Sequence, residues 1–311
     1  MNGKMKKAAR IIILIAVIIL IVSAAFGLAG HFGFLGGSAD VNAAEKGTAH
    51  FAHPYGVFLG LGNGTASAGA EAKILKRVKD YRIVVIDADT ACTGITKDTI
   101  DKLHAAGHTV YTYINIGAVE NYRTYYRDWK SDFLGRYENW PDEQWVDVSD
   151  AAWQKFVTGE LAEKYLAMGV DGFFCDNSDV YYKYKKEGIY SGLVQILHGL
   201  RATGKDVVLN GGDTFAHRYM KGRSTVTDAF TAVNQESVYS RIRSYNGNGK
   251  FGVQKKADTR YYVHRLQEAG AKGAKIYLLE YTKSSALKAK IRKQCVKNGW
   301  QYYIADSIGL E

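Results

Sequence analysis

The sequence predicts an α/β chain folded as a (β/α)8 TIM barrel behind an N-terminal hydrophobic segment. Three observations carry that reading. Eight short apolar, β-rich runs alternate with stretches of helical periodicity, the pattern of parallel strands joined by crossover helices. The helical stretches stop at a glycine, after which a charged residue leads into the next apolar run. Most of the runs end in an acid or an amide that does not suit a buried sheet, which is how the C-terminal face of a barrel reads. An open doubly wound sheet shares the alternation, but eight units favour closure, and no GxGxxG follows the first run.

Residues 1–45 come first. Lys4, Lys6, Lys7 and Arg10 precede an apolar run from Ile11 to Ala29, interrupted only by Ser23 and Gly27. Basic before apolar places the N-terminus in the cytoplasm, and the run is just long enough to cross a bilayer. Small residues at Val41-Asn42-Ala43-Ala44 offer a cleavage site. The expectation is an extracellular protein, held at the membrane by an uncleaved signal anchor or secreted after cleavage. No cysteine follows the run, which excludes a lipoprotein.

The barrel domain is expected over 46–311. Its strands are read at Gly56–Leu61, Ile83–Asp87, Thr109–Asn115, Gly172–Asn177, Asp206–Asn210, Ala232–Glu236, Lys275–Tyr281 and Trp300–Asp306. Helices are read from Thr96 to Gly107, where Thr96 offers a cap, and over Ala151–Met168, Ser191–Thr203, Asp258–Ala269 and Lys283–Lys297. Gly60-Leu61-Gly62-Asn63-Gly64 is glycine-rich, but no Lys-Ser/Thr follows it, so it reads as a loop.

Composition narrows the function. The chain is 47% hydrophobic with only 2 Pro, so it buries a core. Of the net +10, residues 1–45 hold only +2, since Asp40 and Glu45 offset two of their four basic residues. The positive charge elsewhere is diffuse, with no basic block and no RNA-binding motif. This argues against a nucleic-acid partner and suits anionic surroundings such as cell-wall polymer. Cys92, Cys175 and Cys295 are odd in number and widely spaced, so they form no disulfide framework and no CxxC site. His104, His108, His198, His217 and His264 lie in or beside helices, away from strand ends, so no metal or other cofactor is expected. A carboxylate-only magnesium or calcium site is the alternative within that class.

The strand ends carry the chemistry. In order they present Asp87 and Asp89; Asn115, with Glu120 beyond; Asp176 and Asn177; Asn210; Asn234 and Glu236; Glu280 and Tyr281; and Asp306. Asp213 and Asp306 read more plainly as helix-cap or terminal residues. Alternation puts Asp176 on one face with Phe174 and Gly172, and Glu236 with Asn234 and Ala232. Crowded carboxylates push their pKa values apart, which lets one act as an acid and another as a nucleophile or base, as in glycoside hydrolysis. Tyr122, Tyr125, Tyr126, Trp129, Trp140, Trp145, Tyr181, Tyr182 and Tyr239 sit near these loops, where aromatic faces stack on sugars.

Several segments together resemble glycoside hydrolase family 114. They are Val85–Asp89, Tyr113–Arg123, Trp145–Val148, Gly169–Asn177, Leu209–Gly212, Asn234–Glu236 and Leu279–Tyr281. The resemblance spans nearly all of 55–306. It implies a barrel that cleaves α-1,4-linked galactosamine polymers internally, with retention, using Asp176 as nucleophile and Glu236 as general acid/base. It also implies that Asp87, Asp89, Asn115, Glu120, Asn177, Asn210 and Tyr281 line the sugar subsites. The implied partner is an amino-sugar polysaccharide bound by a monomer. The competing expectations are a surface barrel that binds polysaccharide without cleaving it and a carboxylate-metal hydrolase.

Overall fold

A computed structural model describes residues 50–61 and 69–311. The expected signal or anchor segment lies outside the described residues, as does most of the 60–64 glycine cluster. No helix among the described residues is long and apolar enough to cross a membrane.

In chain order the strands are β1 (His53–Phe58), β2 (Tyr81–Ile86), β3 (Thr109–Asn115), β4 (Ala118–Glu120), β5 (Phe133–Arg136), β6 (Glu143–Val146), β7 (Gly172–Asp176), β8 (Asp206–Asn210), β9 (Ala232–Glu236), β10 (Ser240–Ser244), β11 (Lys250–Val253), β12 (Lys275–Tyr281) and β13 (Gln301–Ala305). Eight of them form one parallel sheet in the order β1-β2-β3-β7-β8-β9-β12-β13. β13 comes alongside β1 without a paired ladder, so the barrel is nearly closed. Phe58 packs on Tyr303 at the seam, and Arg77 Nε donates to the Glu311 carbonyl at 2.8 Å. All eight predicted barrel strands are present: β3, β8, β9 and β12 have the predicted ends, and the other four are shifted by up to three residues.

The helix signals work as their chemistry dictates. Thr96 caps Lys97–Ala105 through a reciprocal box with Thr99. Asp150 and Ser284 cap the helices that start at Ala151 and Ser285. Gly169, Gly204 and Gly299 sit at φ 94°, 77° and 69°, the left-handed turn that lets a helix hand over to a strand. From Ala151 to Ala167 the helix buries Trp153, Val157, Leu161 and Tyr165, one residue per turn, on the barrel wall. Trp153 Nε1 donates to the Ile116 carbonyl at 3.0 Å and so fixes the chain just past β3. Within the barrel, Tyr55 stacks on Tyr277 at 4.6 Å.

Two insertions went unread in the sequence. Between β3 and β7 the chain makes a small antiparallel sheet, β4-β6-β5. After β9 it makes the hairpin β10–β11. Both rise from the end of the barrel where the strands finish.

Candidate active site

Asp176 ends β7 and Glu236 ends β9. Each is followed by a non-glycine residue in the left-handed region, Asn177 at φ 65° and Ser237 at φ 57°. Such strain persists where surrounding bonds over-determine it. Here Asn177 N turns back to donate to Asp176 Oδ1 at 2.9 Å. Asn177 Nδ2 donates to Asn115 Oδ1 at 3.1 Å and to Glu143 Oε2 at 3.0 Å. The strand-end acids are thus aimed by backbone turns as well as by alternation.

Between β7 and β9, Asn210 ends β8. Its Nδ2 donates to Asp176 Oδ1 at 2.8 Å and to Glu236 Oε1 at 3.1 Å. One amide nitrogen therefore bridges the two carboxylates. Its two hydrogens diverge at trigonal geometry, so the facing oxygens lie ~5 Å apart. Asn210 is itself oriented: Asn234 Nδ2 donates to its Oδ1 at 2.7 Å, and the buried Tyr55 hydroxyl donates to Asn234 Oδ1 at 3.1 Å. From the other side the Tyr281 hydroxyl donates to Glu236 Oε2 at 2.9 Å.

Burial and the charge of Glu236 push the Asp176 carboxyl up to about 7. Burial also raises Glu236, against the hydrogen bonds from Asn210 and Tyr281. Both carboxyls are thus held above their ordinary values, and groups this close titrate as a pair. Both keep a partly exposed surface. Glu143, on β6 and also partly exposed, is pushed up to about 9 by burial and by the charges of Glu120 and Asp176.

Asp87, Asp89 and Glu120, expected at sugar subsites, lie together in a buried ion cluster. They surround the buried guanidinium of Arg123, whose Nη1 lies 3.0 Å from Asp87 and 3.3 Å from Asp89, and whose Nε lies 3.1 Å from Glu120. Asp89 is 0% exposed, caps the helix Thr90–Thr93 and takes Lys164 Nζ at 2.7 Å. Burial raises Asp87 against Arg123, while Lys164 and Arg123 outweigh burial and lower Asp89. The buried ion cluster holds the chain after β3 in place. Glu280, also a strand-end acid, faces away from the mouth. It accepts from Tyr239 N, Ser240 N and Ser240 Oγ.

Asp176, Glu236, Asn210, Tyr281, Asn177 and Asn115 are brought together. Sequence reasoning missed Glu143, Arg123, the orienting role of Asn234, and Tyr137, which stacks on Trp145 at 4.3 Å. The Tyr137 hydroxyl is raised by burial and then by Asp176, Asp179, Glu143 and Glu236 together. The signal for Glu143 was present: it lies two residues before Trp145 and so shares its strand face. Asp179 is pushed up to about 6 by burial, against a bond from Gly212 N at 3.0 Å, with Asp213 and Glu236 adding to the rise. Among the described residues no group of three or more His, Cys, Asp or Glu is arranged to hold a metal ion.

Two coupled carboxylates at the C-terminal mouth of a parallel barrel define the class, a glycoside-hydrolase barrel. The chain belongs to glycoside-hydrolase family GH114, whose model matches residues 70–305. Its fold is similar to the glycoside hydrolase domain of PelA from Pseudomonas aeruginosa, with TM-score 0.61, 16% identity, and 83% of this chain and 95% of that one covered. It is similarly close to Aspergillus fumigatus Ega3, a structure in complex with galactosamine, with TM-score 0.61, 16% identity, and 86% and 95% covered. At that identity the likeness concerns the fold alone. An uncharacterized protein of Deinococcus radiodurans is 32% identical over 85 residues, 26% of this chain and 27% of its own length. The chain thus matches about a quarter of that curated relative.

Proposed function

We propose that the protein cleaves an α-1,4-linked galactosamine-containing polysaccharide within the chain, with retention. The observation that carries this reading is the shared Asn210 amide, which holds the facing oxygens of Asp176 and Glu236 ~5 Å apart, near the spacing of retaining pairs. Asp176 attacks the anomeric carbon. The bond to the leaving oxygen breaks, and Glu236 gives that oxygen its proton. Water then attacks the glycosyl ester and yields a proton to Glu236, and the sugar leaves with Asp176 restored. Asn210 stays bonded to both groups as charge moves between them, and Tyr281 steadies Glu236 when it is ionised. Asn115, Asn177, Asn210 and Tyr281 supply sugar contacts. Galactosamine units are cationic, and the uncompensated carboxylates of the mouth suit them. Ega3 was crystallised with that sugar. On this reading residues 1–45 carry the barrel across the membrane, to act outside the cell.

The test is reducing-end release from partially de-N-acetylated poly-α-1,4-galactosamine by the full chain and by Asp176→Asn and Glu236→Gln. Cleavage by the parent and a loss of roughly a thousandfold or more in each variant is expected. Saturable binding without cleavage would replace this reading with a surface polysaccharide-binding barrel. Activity lost in chelator and restored by magnesium or calcium would replace it with metal-dependent hydrolysis.

A further inference from the structure

The two insertions meet above the catalytic carboxylates through an aromatic pair. Trp140 projects from the turn between β5 and β6, and Tyr245 follows β10 at the hairpin tip. Their rings meet edge to face at 5.7 Å. Both are exposed, at 40% and 38%, on segments with no core to fill. Each is tied to the site below. The β5–β6 turn carries Tyr137 and leads into Glu143. The hairpin leans on the site through Phe251, which stacks on Tyr281 at 5.8 Å, and Tyr281 holds Glu236. The Tyr245 hydroxyl is raised by burial and then by the charge of Glu236.

An exposed tryptophan and tyrosine meeting edge to face gain about 1 kcal/mol from each other and fill no core. They do present a rigid apolar edge beside acids, which matches a pyranose ring with one C–H face and a polar or cationic rim. We propose that Trp140 and Tyr245 form a sugar-binding subsite shared by the two insertions, outward of the cleavage point, that grips a further ring of the bound polymer. This rests on the cleavage reading above and adds to it. The barrel strands do the chemistry, and the insertions make the protein prefer long chains.

The experiment compares the full chain with Trp140→Ala, Tyr245→Ala and the double variant. It reads kcat and KM on the galactosamine polymer and on a short chromogenic galactosaminide. In a Glu236→Gln background, polymer affinity is read by tryptophan fluorescence and by calorimetry. Each single substitution should weaken polymer binding about tenfold, with the loss in KM rather than kcat, and several-fold less on the short substrate. The double variant should lose little more than the worse single, because both rings serve one subsite, and Trp140→Phe should recover most of the loss. If the parent cleaves and both singles keep polymer affinity within about twofold, the subsite is wrong and the cleavage reading stands. Equal loss on short and long substrates would also overturn it, since Trp140 would then be supporting the fold. If the parent neither binds nor cleaves the polymer, both readings fall.

Discussion

Replacing the proposed nucleophile should make the protein more stable while it destroys activity. Asp176 releases its proton near pH 7 in the fold instead of near its ordinary 3.8, because burial and Glu236 disfavour its charge. Above pH 7 the folded state therefore bears a penalty of about 4 kcal/mol relative to an unperturbed carboxylate. Water at the mouth and relaxation of the site reduce what Asp176→Asn recovers to about 2 kcal/mol. The asparagine carbonyl keeps the bonds from Asn177 N and Asn210 Nδ2, so no donor is orphaned. For a barrel of this size the gain is a Tm rise of roughly 4–8 °C at pH 8. The sign follows from proton counting. Below 3.8 both states hold the proton and the penalty vanishes. Between 3.8 and 7 only the folded state holds it, so the penalty grows with pH. Above 7 neither holds it and the penalty is constant. Thermal unfolding of parent and variant at pH 5 and pH 8 should show the Tm difference shrinking on acidification. A variant less stable than the parent at pH 8, or a difference that does not change with pH, would refute the reasoning.

Further perturbations probe the shell around the pair. Arg123→Met leaves Asp87 and Glu120 buried beside an apolar side chain; a loss of about 3–5 kcal/mol is expected, read as Cm in urea unfolding at pH 7.5, and Arg123→Lys should rescue it poorly because a three-donor ammonium cannot reproduce the forked pair to Glu120 together with the bonds to Asp87 and Asp89. Gly117→Ala would set a Cβ 1.9 Å from the Asn177 carbonyl oxygen, so the turn that aims Asp176 must move; kcat should fall with a stability cost of about 2 kcal/mol, and an unchanged kcat would show that the turn does not position the acid. Tyr281→Phe removes a donor that favours ionised Glu236, so its pKa should rise further and the alkaline limb of the kcat/KM profile should move to higher pH. Glu280→Ala leaves Tyr239 N and Ser240 N without their acceptor, which should cost about 1–3 kcal/mol for each donor and lower Tm.

The barrel was legible because its signals are local. Thr96 caps, Gly169 and Gly299 stop, and an apolar run ending in Asp176 or Glu236 reads as a strand whatever lies around it. The central site was legible for the same reason, since strand ends converge by topology alone. The insertions were not. β4 is three residues long, and the hairpin strands Ser-Arg-Ile-Arg-Ser and Lys-Phe-Gly-Val have little apolar alternation. Their structure comes from each other and from the barrel beneath. Glu143 and Tyr245 went unread with them. That Asp87, Asp89 and Glu120 surround Arg123 was not legible, because Arg123 is 36 residues from Asp87 in sequence and 3.0 Å away in space. Aromatic residues divide in the same way: Trp129 and Tyr125 pack against Phe156 in the wall, and Trp140 does not.

The distinction between structural and reactive acids lies in what neutralises them. Asp87, Asp89 and Glu120 face Arg123, and Asp89 also takes Lys164, so their charge is matched by fixed cations at bonding distance. Asp176, Glu236 and Glu143 are met by amides and a phenol, which hydrogen-bond a carboxylate without cancelling its charge. Unmatched charge costs the fold stability, and such a cost marks a functional site only where a ligand can reach it. Glu280 shows why access is needed. It too is pushed up, to about 7, by burial, yet it is 0% exposed and accepts three donors from the Tyr239–Ser240 turn. Its unmatched charge has a structural use, because Ser240 Oγ also takes the Tyr281 amide at 2.9 Å. Glu280 thereby ties the base of the hairpin to the strand that carries Tyr281, and so to Glu236. The three partly exposed acids face the open mouth, where a ligand can reach them. On the proposed reading, a cationic sugar bound in the mouth would favour their ionised forms, which burial disfavours.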